Sequence, residues 1–298
     1  MIYQQLGKSD LKISRIGFGC MSLQPANQQS EKILHRAIEL GINYFDTADL
    51  YDKGANEELL GKAFRHKRGQ IILATKAGNQ WRADGSGWDW NPGKDYILQC
   101  AEQSLKRLQT NHIDLFQLHG GTMDDPIEET IEAFEQLVKE GKIRYYGISS
   151  IRPNVIRHWS AHSNIVSVMT QYSLLDRRPE EETLHLLKEK NIGVVVRGSV
   201  AQGLLANKPA KPYLNYSEEE VVKAANAIRS LSNDQRTAAQ TAIQFVLNHP
   251  SVTSAIVGIR TMEQLEAAVN TLQAPFLSKE EQEELKNIIP ANYYKDHR

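Results

Sequence analysis

Residues 39–45 read ELGINYF, and the same grammar returns as KEGKIRYY at 139–146 and EKNIGVVV at 189–196. Each time a charged stretch closes on Gly or Asn, which accept the left-handed backbone that ends a helix, and an apolar, β-prone run follows at once. Helices that pass directly into strands imply parallel strands joined by crossover helices.

The same alternation extends in both directions. ISRIGFG (13–19) precedes an amphipathic stretch at 28–40, and INYFDT (42–47) precedes one at 56–64. IILATK (71–76), IDLFQLH (113–119) and RYYGISS (144–150) precede helical patterns at 95–108, at 126–140 and after Pro153. VSVMTQY leads to a helix near 180–190, and GVVVRGS (193–199) to two helical patterns, 217–231 and 234–248. TSAIVG (253–258) is followed by helices at 261–272 and 278–289. Eight strand–helix units in 298 residues, with no Pro/Gly-rich linker, predict an α/β fold: a (β/α)8 TIM barrel in a single domain over 1–298.

Bulk properties narrow the function. Lys+Arg 35 against Asp+Glu 36 leaves a net charge of -1, so no global field calls for nucleic acid or an acidic membrane surface. No apolar run reaches the ~18 residues needed to span a bilayer, and the N-terminal stretch lacks the apolar core of a signal peptide. Cys20 and Cys100 make no disulfide framework and suit a reducing cytoplasm. The histidines show no metal-ligand spacing such as HExxH, which predicts no metal. A homo-oligomer is left open.

In a barrel the C-terminal strand ends form the active face. Those ends carry Asp46, Lys76, His119, Ser149–Ser150, Gln171, Arg197–Ser199 and Gly258–Arg260. Strand ends are often polar because they meet water. An acid, a lysine and a histidine ending three successive strands is a sharper signal. Tyr51 follows Asp46 by five residues, within the loop leaving the same strand, and can fold back over the mouth. A phenol is a poor proton donor at neutral pH, and a neighbouring ammonium favours its phenolate. Asp46 can hold Lys76 charged, and His119 adds a second hydrogen-bonding group. Such a tetrad suits protonating an oxygen as a carbonyl is reduced. Asp49 and Asp52, in the same loop, read as the wet turn between Asp46 and Tyr51.

Over almost its whole length the chain resembles the aldo-keto reductase superfamily. The resemblance is carried by GFGCM (17–21), FDTADLYDKGANEELLGKAF (45–64), ILATK (72–76), LH (118–119), KEGKIRYYGIS (139–149), TQYSLLDR (170–177) and GIRTMEQL (258–265). It implies Tyr51 as general acid tuned by Lys76 and Asp46, His119 orienting a small-molecule carbonyl, and an NADPH-dependent reduction of aldehydes or ketones. It also implies a cofactor lying across the barrel mouth. Gly19, Cys20 and Met21 would line the nicotinamide floor, the alternative for Cys20 and Met21 being plain core packing. Ser149 and Gln171 would hold the carboxamide. The stretch VRGSVAQGLL, with Arg197, Gly198, Ser199, Val200, Gly203 and Leu204, would wrap the pyrophosphate. In the cofactor-binding stretch Gly258-Ile259-Arg260, Arg260 would meet a 2′-phosphate, favouring NADP(H) over NAD(H), and Gln264 would remain for the adenine.

Three departures from the pattern matter: Ser150 where many relatives have Asn, Arg197 where many stack an aromatic on the nicotinamide, and Ala267–Ala268 where Glu–Asn often contact adenine. Arg197 is therefore assigned a cation–π or phosphate role. The loop WRADGSGWDWNP (81–92) carries Trp81, Trp88 and Trp90, which either wall a pocket or pin the loop. Asp124–Asp125 read as the cap of the helix starting at Pro126. Two further readings stay open: a regulatory subunit that senses NADPH for a partner, and a Schiff-base aldolase using Lys76.

Overall fold

The computed structural model describes residues 1–298. Eight parallel strands close into a barrel: β3 (Ile16–Gly19), β4 (Tyr44–Asp46), β5 (Ile72–Ala77), β8 (Ile113–Leu118), β9 (Ile143–Ser149), β10 (Ser167–Gln171), β11 (Gly193–Arg197) and β12 (Val252–Gly258). The helices α1 (Gln28–Glu39), α2 (Ala55–Phe64), α3 (Lys94–Arg107), α4 (Ile127–Lys139), α5 (Pro153–His162), α6 (Thr183–Glu189), α7 (Glu218–Ser230), α8 (Ala238–Leu247), α9 (Met262–Asn270) and α10 (Lys279–Ile288) follow or flank those strands. This is the single-domain (β/α)8 barrel expected from the alternation. No helix is long and apolar enough to cross a membrane.

The three helix-to-strand joints share one geometry. Gly41, Gly141 and Asn191 have φ of 89°, 70° and 50°. The next residue in each, Ile42, Lys142 or Ile192, donates its N–H back five residues to Ala37, Leu137 or Leu187. That bond satisfies carbonyls the helix end would otherwise leave orphaned.

Two hairpins were not expected. The run 13–19 is divided: β2 (Lys12–Ser14) pairs antiparallel with β1 (Tyr3–Gln5), and only β3 enters the barrel. From this hairpin Leu6, Leu11 and Ile13 join Tyr44, Ala74, Leu115, Val195 and Ile256 in a ten-residue apolar cluster inside the barrel. The other strand face belongs to a separate 66-residue cluster shared with the helices. The 81–92 segment is likewise not a plain loop, because β6 (Asn79–Trp81) pairs with β7 (Trp88–Trp90). At the other end of the chain, the helix expected from 234 starts at Ala238, with Thr237 and Gln240 forming a reciprocal cap.

A polar seam ties the Tyr51 loop to α2 and α3. Glu57, fully buried, accepts from Arg107 Nε at 2.6 Å and from Thr75 Oγ1 at 2.6 Å. Asp49 corrects the wet-turn reading: it is 7% exposed. Its Oδ2 accepts from Tyr96 Oη at 3.2 Å and Cys100 Sγ at 3.0 Å, and its backbone N–H donates to the Lys76 carbonyl. Asp52 is exposed, as expected. Asp125 is corrected too. It does not cap α4; its carboxylate accepts from Thr122 N and Oγ1 and from Trp90 Nε1.

Two measurements check this packing. A Cβ at Gly61 would lie 2.3 Å from the Arg107 carbonyl oxygen and 2.7 Å from Leu108 C, both backbone, whereas Gly69 has nothing within 4 Å. Gly61→Ala is expected to cost about 1–3 kcal/mol by overpacking, and Gly69→Ala to change little. Urea melts of the two variants decide it; equal effects would mean α2 does not depend on this approach.

Burial, the largest cause, raises the Asp49 carboxyl from 3.8 to about 6. The fold therefore prefers the protonated acid: that contribution is complete below the unfolded value of 3.8 and is lost as pH rises through about 6. Relative to wild type, Asp49→Asn should gain about 1–3 kcal/mol of stability on going from pH 4 to pH 8. Denaturant melts of both proteins at the two pH values test this. A pH-independent difference would show that the charge is not what Asn removes.

Candidate active site

Side chains alternate along a strand, so residues two apart share a face. Tyr44, Ala74, Leu115, Met169, Val195 and Ile256 belong to the apolar cluster that fills the barrel. Two residues further toward the C-terminal rim stand Asp46, Lys76, Gln117, Gln171, Arg197 and Gly258. The barrel is thus apolar below and polar above. Strand pairing sets Gly19 beside both Asp46 and Gly258.

Lys76, 1% exposed, donates to Asp46 Oδ2 at 2.6 Å and to the Thr47 carbonyl at 2.7 Å. Gln117 Nε2 approaches the other Asp46 oxygen at 3.4 Å. Burial alone would lower the Lys76 ammonium, but Asp46 and then Tyr51 outweigh it and hold Lys76 above its ordinary value. Burial raises the Asp46 carboxyl, against the opposing pull of Lys76 and Gln117. Lys76 Nζ lies 5.2 Å from the centre of the Tyr51 ring. The Tyr51 and His119 rings meet edge to face, 5.9 Å apart and at 83°. Burial first, then Lys76 and Arg197, lower the His119 imidazole from 6.5 to about 3, so it stays neutral. Its Nδ1 is buried without a partner.

Tyr51, Lys76, His119, Met21, Ser149 and Arg197 line one cleft of about 700 Å³, with Asp46 beneath Lys76. Of the two residues between which core packing and a cofactor floor were open, Cys20 is a fully buried core side chain and Met21 is 63% exposed over the cleft. The tryptophans both wall and pin. Trp88 and Trp90 line the cleft, while Trp90 is tied to Asp125 and Trp81 Nε1 to the Leu50 carbonyl.

The remaining expected cofactor residues do not line this cleft. Gln171 Oε1 accepts from Arg197 Nη1 at 2.8 Å, while Gln171 Nε2 donates to Asp176 and to Tyr213. In the segment 198–203, Gly198, Ala201, Gln202 and Gly203 all have positive φ, and Ser199 and Leu204 are buried. Ala201 and Gly203 donate their N–H groups to the Gly198 and Val200 carbonyls, and turns of this kind can present the remaining N–H groups to anions. The exposed Arg260 has no acidic partner; its backbone N–H donates to Gln264 Oε1, and Thr261 Oγ1 caps α9 by accepting from Gln264 N. Arg197, the 198–203 turns and Arg260 together suit an extended polyanion.

Several site residues escaped the sequence reading. Gln117 was accessible to it, lying two residues before His119 on the same strand face. Arg152, Ile151 and Leu50, which also line the cleft, carry no local signal, because only the fold brings their loops together.

Comparison with known proteins converges on one family. The model described as "Aldo/keto reductase family" matches residues 15–290. "Uncharacterized oxidoreductase YqkF" of Bacillus subtilis (strain 168) is 50% identical over 304 residues, covering 99% of this chain and 99% of that protein. "Aldo-keto reductase yakc [NADP(+)]" of Schizosaccharomyces pombe is 34% identical over 210 residues, covering 67% of this chain and 62% of that one. Among solved structures, the aldo-keto reductase AKR11C1 from Bacillus halodurans in its holo form superposes with a TM-score of 0.94 at 48% identity, covering 100% of this chain and 99% of that chain. The chain belongs to the aldo/keto reductase family of oxidoreductases.

Proposed function

We propose that the chain reduces aldehydes and ketones to alcohols with NADPH, Tyr51 giving the proton. The observation that carries this reading is the buried Lys76–Asp46 pair beneath Tyr51, with a neutral His119 across the same cleft. A reduced nicotinamide, when bound, would supply the hydride. Everything else falls to the chain's own residues. Tyr51 Oη donates its proton to the carbonyl oxygen, and the Lys76 ammonium supplies positive charge beside the phenol as that proton leaves. His119, uncharged, orients the carbonyl by a hydrogen bond without competing as an acid.

For the cofactor, Gly19, Met21, Ser149 and Gln171 would meet the nicotinamide end, and the 198–204 segment the pyrophosphate. Arg260 and Gln264 would meet the adenosine end. An exposed guanidinium with no acidic partner suits a 2′-phosphate, which it can hold with paired hydrogen bonds. The NADP(+) in the name of the fission-yeast relative supports the same choice. The aldolase reading loses ground on one point: a Schiff base needs a neutral amine, and Asp46 keeps Lys76 protonated.

Steady-state oxidation of NADPH with 4-nitrobenzaldehyde tests the reaction. Tyr51→Phe is expected to lose about 10²- to 10⁴-fold in kcat while its NADPH affinity stays within about twofold of wild type. Turnover close to wild type would remove Tyr51 from the chemistry, and tight NADPH binding without any turnover in the wild type would favour a sensor. Arg260→Ala should weaken NADPH by about tenfold or more and NADH by far less. Fluorescence titration with both cofactors measures the split, and parallel losses would detach Arg260 from the 2′-phosphate.

A further inference from the structure

Arg152 stands in the cleft with no role in the reaction just described. It is half-buried at the start of α5 and lines the cleft beside Gly120, Gly121, Ser150 and Ile151. Its one side-chain hydrogen bond runs from Nη1 to the Gly121 carbonyl. Nε and Nη2 make no bond within the protein and are not sealed from solvent. No carboxylate neutralises it. Of the acids in the adjoining loop, Asp125 is engaged by Thr122 and Trp90, and Asp124 is exposed and pairs with nothing.

The cleft's charge is lopsided as a whole. Lys76, Arg152 and Arg197 line it, and no acidic side chain does. The Lys76 charge is met by Asp46 from below. In the cofactor reading Arg197 belongs with the dinucleotide, as its bond to Gln171 at the strand end suggests. Arg152 then remains for whatever shares the cleft with Tyr51 and His119. The cleft's apolar and aromatic side chains, among them Leu50, Trp88, Trp90 and Ile151, share it with the neutral polar Asn79, Thr122 and Ser150. A guanidinium with free nitrogens beside aromatic walls matches a planar, anionic group on an apolar frame, and a carboxylate accepts its paired N–H donors best. The N-terminal end of α5, where Arg152 sits, adds partial positive charge of the same sign.

We propose that Arg152 is a specificity-determining residue that makes this cleft a site for carbonyl compounds bearing a carboxylate, an inference that rests on the reductase reading above. The carbonyl would lie at Tyr51 and His119, the hydrocarbon frame along the tryptophans, and the carboxylate on Arg152.

The test compares 3- and 4-carboxybenzaldehyde with their methyl esters, which carry no charge and, pulling electrons more strongly than a carboxylate, make the aldehyde intrinsically the more reactive one. With NADPH, wild type is expected to favour at least one acid over its ester by about tenfold in kcat/KM. Arg152→Gln should lower kcat/KM for that acid by about tenfold, mainly through KM, and leave the ester within about twofold. Arg152→Lys should recover part of the loss, since charge returns without the fork. No change for the acid in Arg152→Gln, or acid and ester falling together in it, would overturn the proposal. The second result would make Arg152 only a brace for Gly121. If no aldehyde is turned over, the reductase reading fails by itself, and binding then decides the site. Tryptophan quenching by benzoate should be about tenfold tighter than by benzamide in wild type and not in Arg152→Gln; no difference in wild type would overturn the Arg152 site.

Discussion

The upper barrel is organised by one constraint, a lysine ammonium that has to be kept charged where almost no water reaches. A buried ion is costly unless it is paired and its protons are satisfied. Lys76 meets that demand with the Asp46 carboxylate and the Thr47 carbonyl, both at the end of the neighbouring strand β4. Gln117, from the strand on the other side, occupies the second Asp46 oxygen. Three adjacent strands are therefore committed to one polar cluster at one height. The apolar filling must stop below it, and the cleft above it opens onto a charged floor.

That commitment explains why the Tyr51 loop is held so firmly from behind. The loop carries the phenol whose ring packs against Lys76. On its other side Asp49 reaches into the α3 interface, to Tyr96 and Cys100, and Glu57 and Arg107 continue the seam between α2 and α3. The strained turn that follows Tyr51, with Asp52 and Lys53 at φ of 48° and 55°, persists because both of its flanks are fastened. Two hairpins do comparable service elsewhere. One closes the barrel bottom with Leu6, Leu11 and Ile13; the other sets Trp88 and Trp90 over the cleft.

What was legible in the chain was whatever is local or periodic. The helix-ending Gly41, Gly141 and Asn191 announce themselves by residue type, and the strand alternation sends Asp46, Lys76 and His119 to one rim. Gln109 shows the limit. It has φ of 52° and closes α3 with the same five-residue backbone bond, from the Thr110 N–H to the Leu105 carbonyl, yet glutamine carries no such signature. The second strand of the N-terminal hairpin runs into 13–19, a stretch that reads as one strand. Asp49 and Asp125 were misread because an acid in a loop is ordinarily solvated or caps a helix. Only tertiary packing brings Cys100 to the first and Trp90 to the second. Arg152 was invisible for the same reason, since its neighbours in the cleft come from distant loops.

The charges in the cleft also bear on which group can act as an acid there. Lys76 and His119 line the same small space, yet one is held above its ordinary value and the other far below it. The asymmetry follows from the supply of negative charge. Asp46 is spent on Lys76, and no second carboxylate faces the imidazole, so burial and the two cations act on His119 unopposed. Environments that push titratable groups apart assign them different work. A neutral imidazole can orient a bound oxygen by hydrogen bonding but carries no surplus proton to give it. A lysine held charged by its carboxylate is likewise a poor donor near neutral pH. In the proposed reduction this leaves the Tyr51 hydroxyl, packed between the two, as the group placed to hand over a proton.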